Sequence, residues 1–147
     1  MPVVTQGIVN AGIVKAGLVS YEASPLGPEL VINGNFGNGA TGWLGLDVVD
    51  GVARTIDVTG TQVISTTAAT EYQLTFNCDA KGVIPQLAVQ NGNVTGSPVI
   101  VTVGPSGNGV MLPYSATFTA LGPDSIIVLS NGSNTASWDN ISIKEVL

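Results

Sequence analysis

Glu71-Tyr72-Gln73-Leu74-Thr75-Phe76-Asn77-Cys78-Asp79 alternates apolar and polar residues without a break. Successive side chains of a β-strand point to opposite faces, so this spacing sends Tyr72, Leu74, Phe76 and Cys78 to one side and Gln73, Thr75 and Asn77 to the other. The stretch is therefore read as a half-buried strand. Cys78 belongs in the core with its apolar neighbours, because an unpaired cysteine behaves as a small hydrophobe.

The same reading extends in both directions. Before this stretch the pattern predicts strands near Glu29–Asn33, Leu46–Val49, Val52–Val58 and Gln62–Thr66. After it come Gln86–Gln90, Val99–Val103, Ser115–Ala120, Ser125–Ser130 and Ser137–Val146. The gaps carry turn chemistry: Asp50-Gly51 as a hairpin signal, Asn91-Gly92-Asn93, Gly104-Pro105-Ser106-Gly107-Asn108-Gly109, Gly122-Pro123-Asp124 and Asn131-Gly132-Ser133-Asn134. Short strands at this spacing, with no helical pattern between them, predict an all-β, antiparallel sandwich.

Composition agrees and removes several functions. The 147 residues suit one domain able to bury a core without disulfides or metal. Only 10% of them are charged and 44% are hydrophobic, a mix poor for surface helices and wrong for disorder. The four basic residues, Lys15, Arg54, Lys81 and Lys144, are scattered in a chain of net charge −6, so no patch is set up for nucleic acid. No stretch is apolar for the roughly 20 residues that span a bilayer. The N-terminal stretch lacks a basic region and is interrupted by Gly7, Gly12, Lys15 and Gly17, so the sequence is read as carrying no signal peptide and as made in a cytoplasm.

Catalysis has little to work with. There is no histidine and one cysteine, which removes Ser-His, Cys-His and His-zinc chemistry. Paired carboxylates are the remaining route. The acidic residues fall mostly at turns and strand edges, as at Asp50 and Asp124, and no spacing proposes a pair. The chain is therefore expected to be no enzyme, with no cofactor and no metal.

Three segments carry a resemblance. Leu30-Val31-Ile32-Asn33-Gly34-Asn35-Phe36 followed by Gly42-Trp43 is similar to the opening of the family 4/9-type carbohydrate-binding modules. Glu71 to Phe76, closed by Ala80-Lys81-Gly82, resembles their middle strand, and Asp139-Asn140-Ile141-Ser142-Ile143 resembles their last. The resemblance runs from Glu29 to Leu147 and implies a jelly-roll sandwich with Trp43 in its core. Where those modules often place an acidic residue that helps hold a structural calcium, this chain has Gly37; Asp139 alone does not make a site. The pairing of Gly27-Pro28-Glu29-Leu30-Val31-Ile32-Asn33-Gly34 with Asp139 to Val146 also resembles domains of phage virion proteins, which serve in adhesion or assembly.

Few aromatics are available to a sugar. If Asp139, Ile141 and Ile143 share a face, alternation puts Trp138 on the other with Asn140 and Ser142, open to a glycan or a partner unless another segment covers it. Tyr114 and Tyr21 are the other candidate contacts.

Residues 1–28 read as an extended apolar arm and 29–147 as the sandwich. Gln6-Gly7-Ile8-Val9-Asn10, Ala11-Gly12-Ile13-Val14-Lys15 and Ala16-Gly17-Leu18-Val19-Ser20 repeat one five-residue unit. Five is odd, so in a strand each copy flips its apolar pair to the other face. In a helix the pairs spiral instead of forming a stripe. An extended segment buried from more than one direction fits, and Val3, Val4, Ile8, Val9, Ile13, Val14, Leu18 and Val19 become a candidate assembly interface.

The expectation that follows is a virion structural protein, a capsid decoration or cement protein on the particle surface. Its partners would be the major capsid protein and copies of itself, as a trimer if it sits on threefold axes. The alternatives are a glycan-binding adhesin domain of a phage tail or fibre, with host glycan as partner, and a free-standing carbohydrate-binding module.

Overall fold

The computed structural model describes residues 24–55, 59–81, 85–106, 109–130 and 135–147. The N-terminal segment with its repeat, and Tyr21, lie outside the described residues. So do the last three residues of the strand expected over Val52–Val58.

Ten strands are described: β1 (Leu26–Glu29), β2 (Asp47–Val49), β3 (Val52–Thr55), β4 (Gly60–Ser65), β5 (Glu71–Asp79), β6 (Gln86–Asn91), β7 (Val99–Val103), β8 (Leu112–Thr119), β9 (Asp124–Ser130) and β10 (Ala136–Val146). There is no helix among the described residues. One sheet runs β2-β3-β10-β5-β8, with β1 added beside β10 to make six strands; the other runs β4-β9-β6-β7. All pairings are antiparallel. The fold is the expected all-β sandwich. From β3 onward the chain crosses between sheets at every connection except the β6–β7 hairpin.

Alternation decides what fills the space between the sheets. Leu74, Phe76 and Cys78 of β5 meet Leu87 and Val89 of β6 and Ile127 and Leu129 of β9, all fully buried. The hairpin at Asp50-Gly51 forms as read, with φ of 54° and 75°. That is the left-handed pair a tight hairpin of right-twisted strands demands.

β10 holds the larger sheet together. One edge pairs with β5 along nearly its full length, while the other pairs first with β3, Trp138 opposite Ala53, and then with β1, Lys144 opposite Glu29. The register on β5 shifts between Asp139 and Ser142, where Asn140 takes a φ of 52°. This bulge corrects the expectation for Trp138. The extra residue reverses the alternation, so Trp138 shares the inner face with Ile141 and Ile143 and is fully buried. Its ring lies 5.8 Å from that of Phe76, and its Nε1 donates to Thr55 Oγ1 at 3.0 Å.

The gap that the bulge leaves between β3 and β1 is closed by the Asn-Gly-Asn-Phe turn. Ile141 N donates to Gly34 O at 2.9 Å. A Cβ on residue 34 would run into the Ile141 carbonyl, so only glycine fits there. Asn33, with a φ of 54°, ends the extended run and ties the turn to itself by donating to Gly39 O and Thr41 O. Phe36 and Trp43 are buried with ring centroids 5.5 Å apart. Trp43 Nε1 donates to Ile32 O at 3.1 Å, so Trp43 is the core residue that the resemblance implied.

Two strands sit earlier than expected. β1 occupies Leu26–Glu29 instead of Glu29–Asn33, taking in residues read above as the end of the arm, and β8 begins at Leu112 instead of Ser115. Pro28 of β1 and Pro113 of β8 each fall on a strand that, among the described residues, has a partner on one side only, the position in a sheet where proline is tolerated.

Candidate functional site

The polar half of the β5 alternation builds a surface. Gln73, Thr75 and Asn77 face outward from the six-stranded sheet, and register places outward residues of β8 and β10 beside them. Thr75 stands between Ser115 and Ser142, Gln73 between Thr117 and Lys144, and Asn77 between Pro113 and Asp139. The result is three cross-strand rows made mainly of hydroxyls and amides, all half-buried or exposed.

Two depressions lie along these rows. One, of about 430 Å³, is lined by Glu29, Asn33, Asn35, Asn140, Ser142 and Lys144, among others. The second, of about 400 Å³, is lined by Thr75, Asn77, Pro113, Tyr114, Ser115 and Asn140, among others. Asn140 belongs to both, because the bulge lifts it, exposed, out of the ladder. Asp139 Oδ1 accepts its N–H at 2.8 Å, leaving the Asn140 amide group to project.

The Glu29 carboxylate is already engaged. Glu29 Oε1 accepts Val31 N at 3.0 Å and Ile143 N at 2.9 Å, and Oε2 accepts Ser142 Oγ at 2.5 Å. A carboxylate so occupied closes the seam between β1 and β10 and is poorly placed to act as a base. Among the described residues no three His, Cys, Asp or Glu side chains gather as metal ligands. The face can therefore donate and accept hydrogen bonds.

Of the residues singled out from sequence, the structure brings one to this surface. Tyr114 stacks on Phe76 at 5.5 Å, and its hydroxyl exchanges hydrogen bonds with the Ser106 backbone, so it lines the second depression while pinning a loop. Trp138 lies beneath the face and cannot touch a ligand. Thr75, Asn77, Ser115, Asn140 and Ser142 were not singled out. Their signal was the polar phase of the same alternations that were read for their apolar phase.

At one end of the face stands the buried Asp79. Burial pushes its carboxyl up, but bonds from Lys81 Nζ at 2.6 Å, Lys81 N at 3.1 Å and Gly109 N at 2.9 Å outweigh that and hold it below the usual carboxylate value. These bonds fasten Gly109, in the loop before β8, to the end of β5. Next to it the Cys78 thiol is pushed up to about 12, by burial first and by the Asp79 carboxylate second, which makes it inert at neutral pH.

No family model and no curated protein matches this sequence. Solved structures do. A carbohydrate-binding module described as CBM4 superposes with a TM-score of 0.62 at 14% identity, over 78% of this chain and 98% of that one. The CBM22-1 xylan-binding domain from Paenibacillus barcinonensis Xyn10C gives 0.61 at 10% identity, over 86% and 98%. The enzymatically active domain of tailspike protein 4 from bacteriophage CBA120 gives 0.55 at 16% identity, over 80% of this chain but 21% of that one. At these identities the likeness shows the fold, a jelly-roll β-sandwich of the carbohydrate-binding-module type.

Proposed function

We propose that this chain is a non-catalytic binding module that takes a glycan across the outer face of the six-stranded sheet. The observation that carries the reading is the pair of depressions meeting at Asn140, where hydroxyl and amide side chains stand beside Glu29 and Lys144, on a fold shared with carbohydrate-binding modules. Sugar hydroxyls are both donors and acceptors, and Thr75, Asn77, Ser115, Asn140 and Ser142 offer the same chemistry in return. Phe76 and Trp138 are turned inward, so stacking adds little. Each hydrogen bond contributes about 0.5–1.5 kcal/mol net. About five of them correspond to a dissociation constant near 1 mM or somewhat tighter.

The test is titration of the full chain with soluble xylo- and gluco-oligosaccharides, followed by NMR. Saturable shifts confined to β5, β8, β10 and the Glu29–Asn35 stretch are expected. Asn77→Ala and Asn140→Gly should weaken them at least fivefold without lowering the Tm, glycine keeping the left-handed backbone at 140. Absence of shifts with every glycan would remove the proposal.

A second reading, a cement protein that clamps capsid subunits as a trimer on the particle surface, draws on a different observation. Large apolar side chains (Leu44, Val63 and Val94) stand exposed on and beside the outer face of the other sheet, as on a surface meant for protein. Its test is co-sedimentation of the chain with undecorated particles.

A further inference from the structure

β9 does not alternate. Ile126, Ile127, Val128 and Leu129 are all buried, although consecutive residues of a strand face opposite ways. Ile127 and Leu129 enter the main core, and Ile126 and Val128 join Ala88 in a separate cluster on the outer face of the four-stranded sheet. A central strand that is apolar on both faces is the pattern of a sheet covered on both sides.

The surroundings continue the pattern. Register puts Val63 of β4 beside Ile126, and Thr61 beside Val128. Leu44 bridges to Thr61 at the sheet edge. Val63, Val94 and Leu44 are 46%, 62% and 74% exposed. With Ile126 they line a depression of about 480 Å³ that has no charged side chain in its wall.

The edge of β4 is open as well. Thr61 exchanges both backbone bonds with Leu44, at 2.9 and 3.0 Å, so its N–H and C=O point away from β9. Residues of the same parity, Val63 and Ser65, point the same way. No strand lies beside them among the described residues. An apolar face next to an open edge is what an added strand needs.

We infer that this face is the docking surface of the chain's own N-terminal segment, residues 3–19, whose apolar residues, drawn from the Ile8-Val9, Ile13-Val14 and Leu18-Val19 pairs, would cover Leu44, Val63, Val94 and Ile126. Chemistry matches: the only charged side chain in residues 1–20 is Lys15. Reach suffices. Ile32, whose N–H is bonded to Gln62 of β4 at 2.7 Å, is eight residues from Ser24, so the start of the described chain lies within about 27 Å of that strand. The preceding 23 residues extend to roughly 75 Å. A tether this short gives the segment a local concentration in the millimolar range, which favours its own sandwich over a neighbour's.

Amide hydrogen exchange on the full chain tests this. Substituting Ile8→Asp, Ile13→Asp and Leu18→Asp together should speed exchange at Val63 and Ser65 at least tenfold. Leu74 and Phe76 in β5 should be unchanged, and both proteins monomeric. In a second experiment Val63→Cys is combined in turn with Ile8→Cys, Ile13→Cys or Leu18→Cys, and at least one pair should form an intramolecular disulfide in the monomer. Equal exchange in the two proteins with no cross-link would overturn the docking. Cross-links found only between chains, or protection that appears only in concentration-dependent oligomers, would overturn the assignment to its own segment and place the occupant on a second copy.

Discussion

The two sheets turn opposite kinds of surface to the outside. On the six-stranded sheet the outward positions of β5 are Gln73, Thr75 and Asn77; on the four-stranded sheet those of β9 include Ile126 and Val128. Both strands are central and both send apolar residues into one core. The difference lies wholly in the residues the core does not use. Polar outward positions keep a sheet soluble and give it hydrogen-bonding groups; apolar ones call for a cover. One sandwich thus carries two outer surfaces of opposite character, and a mutation can be aimed at either without touching the other.

The sharpest measurement compares neighbours on β9. Ile127→Ala should cost about 2–5 kcal/mol, since the space it empties lies between two sheets that cannot collapse into it. Ile126→Ala, one residue away on the outer face, should cost about 1–2 kcal/mol, because a shallow site loses transfer energy and keeps little cavity. Urea denaturation of both variants decides it, and equal losses would mean the outer face is as deeply covered as the core.

A smaller effect is expected at the end of the polar face. The folded pKa of Asp79 lies below its ordinary value of 3.8, so its contribution to stability is full above that pH and lost as pH falls through the folded value. The Tm difference between the wild type and Asp79→Asn should be widest near neutrality and close in strong acid. A difference independent of pH would show that the carboxylate bonds are not its source. Smallest of all, Thr75→Ala should change stability by no more than about 0.5 kcal/mol, as outward positions free of buried partners do. A loss above about 1 kcal/mol would mean the polar face is structural.

Much of this was legible in the residues. The period of two in β5 and the Asp50-Gly51 hairpin follow from local chemistry that tertiary context only reinforces, while the burial of Trp43 was implied by the resemblance of the Asn33–Trp43 stretch to a known family. Trp138 shows where such reading stops. Its face depends on whether one residue, Asn140, is inside the ladder or bulged out of it, and that is settled by Gly34 O reaching Ile141 N from more than a hundred residues away. The continuous apolar run of β9 predicts a strand but not which pair meets the core. The candidate site was illegible for another reason: its rows are assembled across three strands, and no single stretch of sequence contains one.

The place of β10 in chain order has a consequence for synthesis. This strand is the last of the ten, yet it is the one that β5, β3 and β1 all pair with. While the chain emerges, β1 and β3 have no seam to join, and the earlier strands wait with open edges until residues 136–146 arrive. Closure therefore depends on contacts spanning more than a hundred residues, such as Glu29 with Lys144. Contacts so distant in sequence slow folding to milliseconds or seconds. For a translating cell the vulnerable form of this sandwich is the one in which residues 136–146 have yet to emerge, and β10 acts as the latch that ends its exposure.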